Sequence, residues 1–241
     1  MSGAAGRIAA LYRYPVKAMA AEPVEAATLD WFGIRGDRRY AFVRSEDPGG
    51  FPWLTIRQVR DLTRYRPRCP GDDPEGAPPL VRTPDGRELA VTDPALADEL
   101  AAAHGRPVWL LRDRRGLFDA FPVSVLSVQA VAAIGELAGR ALEPRRFRPT
   151  VVVDAPGGGP FPEEAWVGRT LALGDGDDAP LVRVDLRDRR CMVVTVDPDT
   201  GERDPAVLRA VVEHRESCAA VYGSVVRPGT VRVGAPLRVV G

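Results

Sequence analysis

The stretch Thr150–Val196, TVVVDAPGGGPFPEEAWVGRTLALGDGDDAPLVRVDLRDRRCMVVTV, decides the fold class. Short β-branched runs, TVVVDA, TLALG, LVRVDL and MVVTV, are separated by clusters of Gly, Pro and Asp, which is the punctuation of successive short strands. The same spacing continues in TVRVG and LRVVG, up to Gly241. Many short strands without regular strand-helix alternation point away from a parallel doubly wound sheet. They predict a β-rich α+β protein built on a barrel.

Upstream of this stretch the pattern is mixed. RIAALYRY (7–14), VEAATLDW (24–31) and RRYAFVR (38–44) read as strands, with Pro15 ending the first and the glycines of FGIRGD turning the second into the third. This predicts an opening β-meander. DPGGFP (47–52) and CPGDDPEGAPP (69–79) read as exposed loops. Three helices have start signals. Asp93-Pro94 and Asp204-Pro205 pair an acidic cap with proline at the first helical position, and Ser127 can cap VQAVAAIGELAG, with Gly139 near its end. The expected organisation is two interwoven β-rich parts, residues 1–89 and 90–241, with the few helices outside the barrel.

The composition excludes several functions. Among 241 residues, 33 Lys and Arg balance 33 Asp and Glu, so the chain lacks the electrostatic footprint of a general nucleic-acid binder, and any anion site must be local. No apolar run is long enough for a membrane helix. Arg13 and Lys17 interrupt the N-terminal apolar segment, which therefore does not read as a signal peptide, and a cytoplasmic location is expected. Cys69, Cys191 and Cys218 have neither zinc-ribbon nor iron–sulfur spacing, and His104 and His214 stand alone in helical segments.

Four short stretches combine cations with tight turns: YPVK (14–17), GDRR (36–39), RRFRPT (145–150) and RRC (189–191). Arginine forks match phosphate, so these stretches would form a phosphate-binding site if the fold gathered them. Singly, each reads as a solvated charge or a structural ion pair. Cys191 is balanced in the same way. A cysteine in a strand is ordinarily a small buried apolar residue, yet neighbouring arginines favour the thiolate. If the strand is regular there, Arg189 shares the face of Cys191 and Arg190 points away.

Taken together these stretches resemble the MOSC family, named from the C-terminal part of molybdenum-cofactor sulfurase. LYRYPVKAMAAEPVEAATLDWFGIRGDRRYAFV and LTIRQ (54–58) are similar to the N-terminal β-barrel domain of such proteins. RRFRPTVVVD, FPEEAWVGRTLALG, RRCMVVTVDPDTGE and PGTVRVGAPLRVV follow in the family's order. The resemblance implies a MOSC β-barrel interlocked with that N-terminal domain, and a site for molybdenum cofactor like that of the amidoxime-reducing members. By the same resemblance Cys191 is the molybdenum thiolate ligand. Lys17, Arg38 and Arg148 hold the phosphate and nearby polar edges of the pterin, Ser127 supplies a hydroxyl at a helix start, and Thr150 and Arg190 complete the cofactor contacts.

Two positions depart from that branch: Ala18 stands where YPVKS is usual, and Thr150 where FRPN is usual, each removing hydrogen-bonding capacity. The expected activity is reduction of N-hydroxylated or N-oxide small molecules. A separate electron-donor protein is implied, because the chain has neither a Rossmann fingerprint nor a cysteine set for an iron–sulfur cluster. The alternatives are sulfur transfer through a Cys191 persulfide and a non-catalytic binding module.

Overall fold

The computed structural model describes residues 4–44 and 50–240. The chain opens with β1 (Ala4–Arg13), β2 (Glu22–Val24), β3 (Ala26–Asp30), β4 (Gly33–Ile34) and β5 (Tyr40–Arg44). Three short strands follow, β6 (Arg66–Arg68), β7 (Leu80–Arg82) and β8 (Glu88–Ala90), then α1 (Pro94–His104) and β9 (Val108–Arg112). The second half contains β10 (Val123–Ser127), α2 (Val128–Ala138), β11 (Val151–Asp154), β12 (Thr170–Leu173), β13 (Leu181–Arg189) and α3 (Pro205–Arg215). It ends with β14 (Cys218–Arg227), β15 (Gly229–Arg232) and β16 (Pro236–Val240).

Seven strands close a barrel in the order β11-β10-β14-β13-β12-β16-β1, the pairing of β1 with β11 completing the ring. β1 can serve β16, β11 and β2 in succession because its register shifts twice, between Ala4 and Gly6 and between Ile8 and Ala10. Gly6 is required at this closure, since a Cβ there would lie 2.3 Å from the Asp154 carbonyl oxygen. Period-two alternation fills the interior with Ile8, Val125, Val151, Val153, Leu171 and Val182, among others, none more than 1% exposed. On β10 the interior valines at 123 and 125 alternate with Leu126, which packs outward beneath α2 and α3.

A second core, around Phe42, Leu54, Leu62, Val81 and Leu96, underlies the segment from β5 to α1. The two parts interlock, because β1 belongs to the barrel, β3 pairs with β15, and β5 pairs with β9. The opening is therefore not a meander: β2 pairs with β1, but β3 turns away to β15 and β4. The helices begin as their signals dictate, with the side chains of Asp93, Ser127 and Asp204 accepting from Ala95, Ala130 and Ala206 backbone N–H groups, each at 2.9 Å. One β-α-β unit is present, in which α2 joins β10 to its parallel neighbour β11. Of the loop expected at 47–52, residues 47–49 lie outside the described region, while Gly50 and Phe51 are exposed. No described helix is long and apolar enough to cross a membrane.

MVVTV is not a strand. Met192–Thr195 form one 3₁₀ turn, with Cys191 preceding it in an extended conformation. Val194 and Val196 are buried in two different cores, which a flat strand facing one layer would not achieve. The Thr195 hydroxyl donates to the Met192 carbonyl at 2.7 Å, closing the turn locally.

Candidate functional site

Tyr14 ties three of the cationic turns together. Its backbone N–H donates to Asp37 Oδ1 at 2.6 Å, its carbonyl accepts from Arg38 N–H at 2.7 Å, and its hydroxyl donates to the Pro149 carbonyl at 3.1 Å. The ring, fully buried, is flanked by the guanidinium carbons of Arg38 at 4.6 Å and Arg148 at 4.3 Å. Both cations are therefore set in position by the same aromatic group. Backbone conformation sets them as well: Ala18, Arg38 and Arg148 all have left-handed φ angles, 66°, 50° and 54°. Such conformations are strained for residues with a Cβ, by roughly 1–3 kcal/mol each, and three of them meet at one cleft.

The cleft encloses about 970 Å³ including its open mouth. The cations Lys17, Arg38, Arg57, Arg148, Arg189 and Arg190 line it, against the carboxylates Asp119 and Asp188. Phe118, Phe121 and Tyr222 form an aromatic wall, with the last two rings 6.1 Å apart. Lys17 is 7% exposed and donates to the Leu117 carbonyl and to Asp119 Oδ1, both at 2.6 Å. Burial pulls the Lys17 ammonium below the usual lysine range, and Asp119 opposes that shift. Arg38 pairs at 2.5 Å with Asp37, which has no solvent exposure. Arg148 Nη1 donates to the Met19 carbonyl at 2.7 Å, while Nη2 is buried without a protein partner. Burial, reinforced by Arg38, lowers the Arg148 guanidinium to about 10, which leaves it charged at neutral pH.

Cys191 is exposed and lines the same cleft. β13 ends at Arg189, so strand alternation does not govern the RRC residues, and Arg189 and Arg190 both line the cleft beside the thiol. The Arg190 guanidinium is clamped between Asp188 and the Phe147 carbonyl, with Nε left unpartnered. Buried donors without acceptors, such as Arg148 Nη2 and Arg190 Nε, suit an anionic guest.

The structure thus gathers Lys17, Arg38, Arg148, Arg190 and Cys191 around one cleft. It does not bring Ser127 or Thr150 to the cleft wall. Ser127 is fully buried, and its hydroxyl is engaged by the N-terminus of α2. Thr150, also fully buried, accepts from the Ser124 N–H at 2.9 Å and donates to the Ser124 carbonyl at 3.1 Å. Both hydrogen-bonding roles of its hydroxyl are spent on clamping β10, so Thr150 supports a cleft residue instead of contacting a ligand. Sequence reasoning did not single out Asp119, Asp188, Ser124, Tyr222 or the aromatic wall. The available signals were weak: Asp119 lies in the aromatic LFDAF, and Arg57 in LTIRQ. Among the described residues no group of three or more His, Cys, Asp or Glu could hold a metal ion. A metal here would have to bring most of its own ligands and take one thiolate from the protein.

A closed barrel is thus interlocked with an N-terminal β-rich part beside a cationic, thiol-bearing cleft. The MOSC domain matches residues 104–238 and the MOSC N-terminal beta barrel domain residues 5–112, and the chain belongs to the MOSC family. Mitochondrial amidoxime-reducing component 1 of Mus musculus is 30% identical over 56% of this chain, a match spanning 42% of the mouse protein. The Homo sapiens protein of the same name is 24% identical over 98% of this chain and 83% of its own length. Among solved structures, the YUAD protein from Bacillus subtilis shares the fold, with a TM-score of 0.51 and 15% identity over 99% of this chain and 94% of that one.

Proposed function

We propose that this cleft holds molybdenum cofactor and that the protein reduces N-hydroxylated small molecules with electrons from a separate donor protein. The observation that carries the reading is the convergence on one cleft of an exposed thiol, Cys191, with Lys17 and with Arg38 and Arg148, which Tyr14 fixes from two distant turns. The residues present fit the group. Arg148 Nη2 is a buried donor awaiting an acceptor, and with Arg38 and Lys17 it would hold the pterin phosphate. Cys191 would supply the soft thiolate that suits a metal already bound by sulfur. When bound, the cofactor supplies two-electron reduction with removal of oxygen from nitrogen.

The chain's own contribution is placement. Tyr14 and Asp37 keep Arg38 in register, Asp188 and the Phe147 carbonyl fix Arg190 beside the thiol, and Phe118 and Phe121 present an apolar wall to the substrate. Similarity to the amidoxime-reducing components supports the substrate class. The exposed thiol also favours a second reading, in which Cys191 carries sulfur as a persulfide. The test is reduction of an aryl amidoxime by cofactor-loaded protein with a chemical reductant. Turnover that disappears in Cys191→Ala supports the first reading. A sulfur adduct on Cys191, found by mass spectrometry in a protein without turnover, favours the second.

A further inference from the structure

A second, narrower void lies beside Tyr14, and Arg148 lines both it and the cleft. It encloses about 350 Å³ including its mouth, but its interior admits only about one water-sized sphere. Three of its lining residues carry buried polar atoms with no hydrogen-bond partner among the described residues: Thr63 Oγ1, Arg146 Nε and Arg148 Nη2. Thr63 and Arg146 are only 6% and 4% exposed. Arg146 directs its other nitrogens to the Val194 and Thr195 carbonyls and to Asp197, and Arg148 directs Nη1 to the Met19 carbonyl. The remainder is a set of donors, for an arginine N–H cannot accept and the threonine hydroxyl is free to donate. Buried polar groups are nearly always paired, so three unpaired ones around one void call for a guest.

Charge selects among guests. Arg145 is paired with Glu143 and Asp199, and Arg146 with Asp197, whereas Arg148 bonds to no carboxylate among the described residues. Burial and the neighbouring Arg38 both act against the charge on Arg148. The wall therefore carries one uncompensated positive charge, and Ala20, Val193 and Val196 beside it offer no side-chain acceptor. A water molecule would leave that charge uncompensated, and sulfate or phosphate is too large for the interior. We propose that a halide ion such as chloride occupies this void. It accepts from Thr63, Arg146 and Arg148, and so joins the N-terminal part, which holds Thr63, to the turns that carry Arg148 and Cys191. The site goes beyond the reductase reading and needs no cofactor, since Arg148 Nη2 has two protons to share between void and cleft.

Melting of halide-free protein tests this, at constant ionic strength, with sodium gluconate, whose anion the void excludes by size, exchanged stepwise for chloride. The wild-type melting temperature should rise with chloride and saturate. In Arg148→Met the rise should vanish. Thr63→Val removes a hydroxyl that has no protein partner and keeps the side chain's shape. The chloride concentration giving half the rise should then increase about tenfold, the loss of roughly one hydrogen bond to a charged group, and this variant serves if Arg148→Met does not fold. In bromide-soaked crystals of the wild type, an anomalous peak should lie within hydrogen-bond reach of all three residues. A rise that never saturates, or that is the same in all three proteins, is a general salt effect and overturns the proposal. So does a wild-type melting temperature indifferent to chloride, or a void without bromide. None of these readouts involves turnover or molybdenum, so the site and the reductase reading stand or fall separately.

Discussion

Cys191 is exposed at the cleft, so Cys191→Ala should abolish reduction while changing unfolding free energy by no more than about 0.5 kcal/mol, the range usual for surface substitutions. Turnover and a denaturant titration on the same preparation check both halves. The cations divide by what each leaves behind. Arg38 neutralises Asp37, which is wholly buried, so Arg38→Met strands a charge and should destabilise the fold by about 3–5 kcal/mol. Among the described residues Arg148 pairs with no carboxylate, and Asp119, the partner of Lys17, is 61% exposed. Lys17→Met and Arg148→Met should therefore lower cofactor retention at least tenfold with smaller effects on melting, since a charge-assisted contact contributes about 1.5–3 kcal/mol. Arg87→Met, at an exposed ion pair with Asp85 and Glu99, should leave retention unchanged. Pterin fluorescence per polypeptide after dialysis reads these outcomes.

Secondary elements were legible where a local cause dictates them. Acidic or hydroxyl caps followed by Pro94, Pro205 or an apolar helix specify their helix starts from one or two side chains, and each cap bonds as expected. MVVTV was misleading because β-branched composition cannot distinguish a strand facing one core from a turn feeding two. The partner of β3 was illegible for another reason: β15 lies about two hundred residues downstream, and pairing at that distance leaves no mark in local periodicity. At the site, the cations were visible as residue types, but their convergence depends on Tyr14, which looks like any strand aromatic. Ser127 shows the converse. Its resemblance-based role at the ligand gives way to a helix cap, so Ser127→Ala should cost about 1 kcal/mol in thermal or chemical unfolding and leave molybdopterin content at the wild-type level.

Across the whole molecule, the barrel buries charge with consequences for its pH response. Glu163 has no solvent exposure, its carboxylate oxygens are buried without a hydrogen-bond partner, and burial raises its carboxyl above the usual glutamate value of about 4.5. The folded state then binds this proton more tightly than the unfolded chain. Its contribution is complete at acid pH and is lost as pH rises from the unfolded value through the folded one. Glu163→Gln should accordingly raise the melting temperature at neutral pH by a few degrees, with the advantage vanishing near pH 4. Calorimetric melting of both proteins from pH 4 to 8 measures it, and an advantage that grew towards acid would reverse the assignment.

The interlocking of the two β-rich parts serves the cleft, for Lys17 and Arg38 come from the N-terminal region and Arg148 and Cys191 from the strands and turns that follow α1. A molecule built to bring these groups together should retain what they bind. The most direct test is molybdenum and molybdopterin content per chain, measured on protein purified from a host that makes ample cofactor. The account predicts near-stoichiometric pterin and molybdenum in wild-type protein and loss of both in Lys17→Met and Arg148→Met. Background molybdenum and no pterin in the wild-type protein would contradict it.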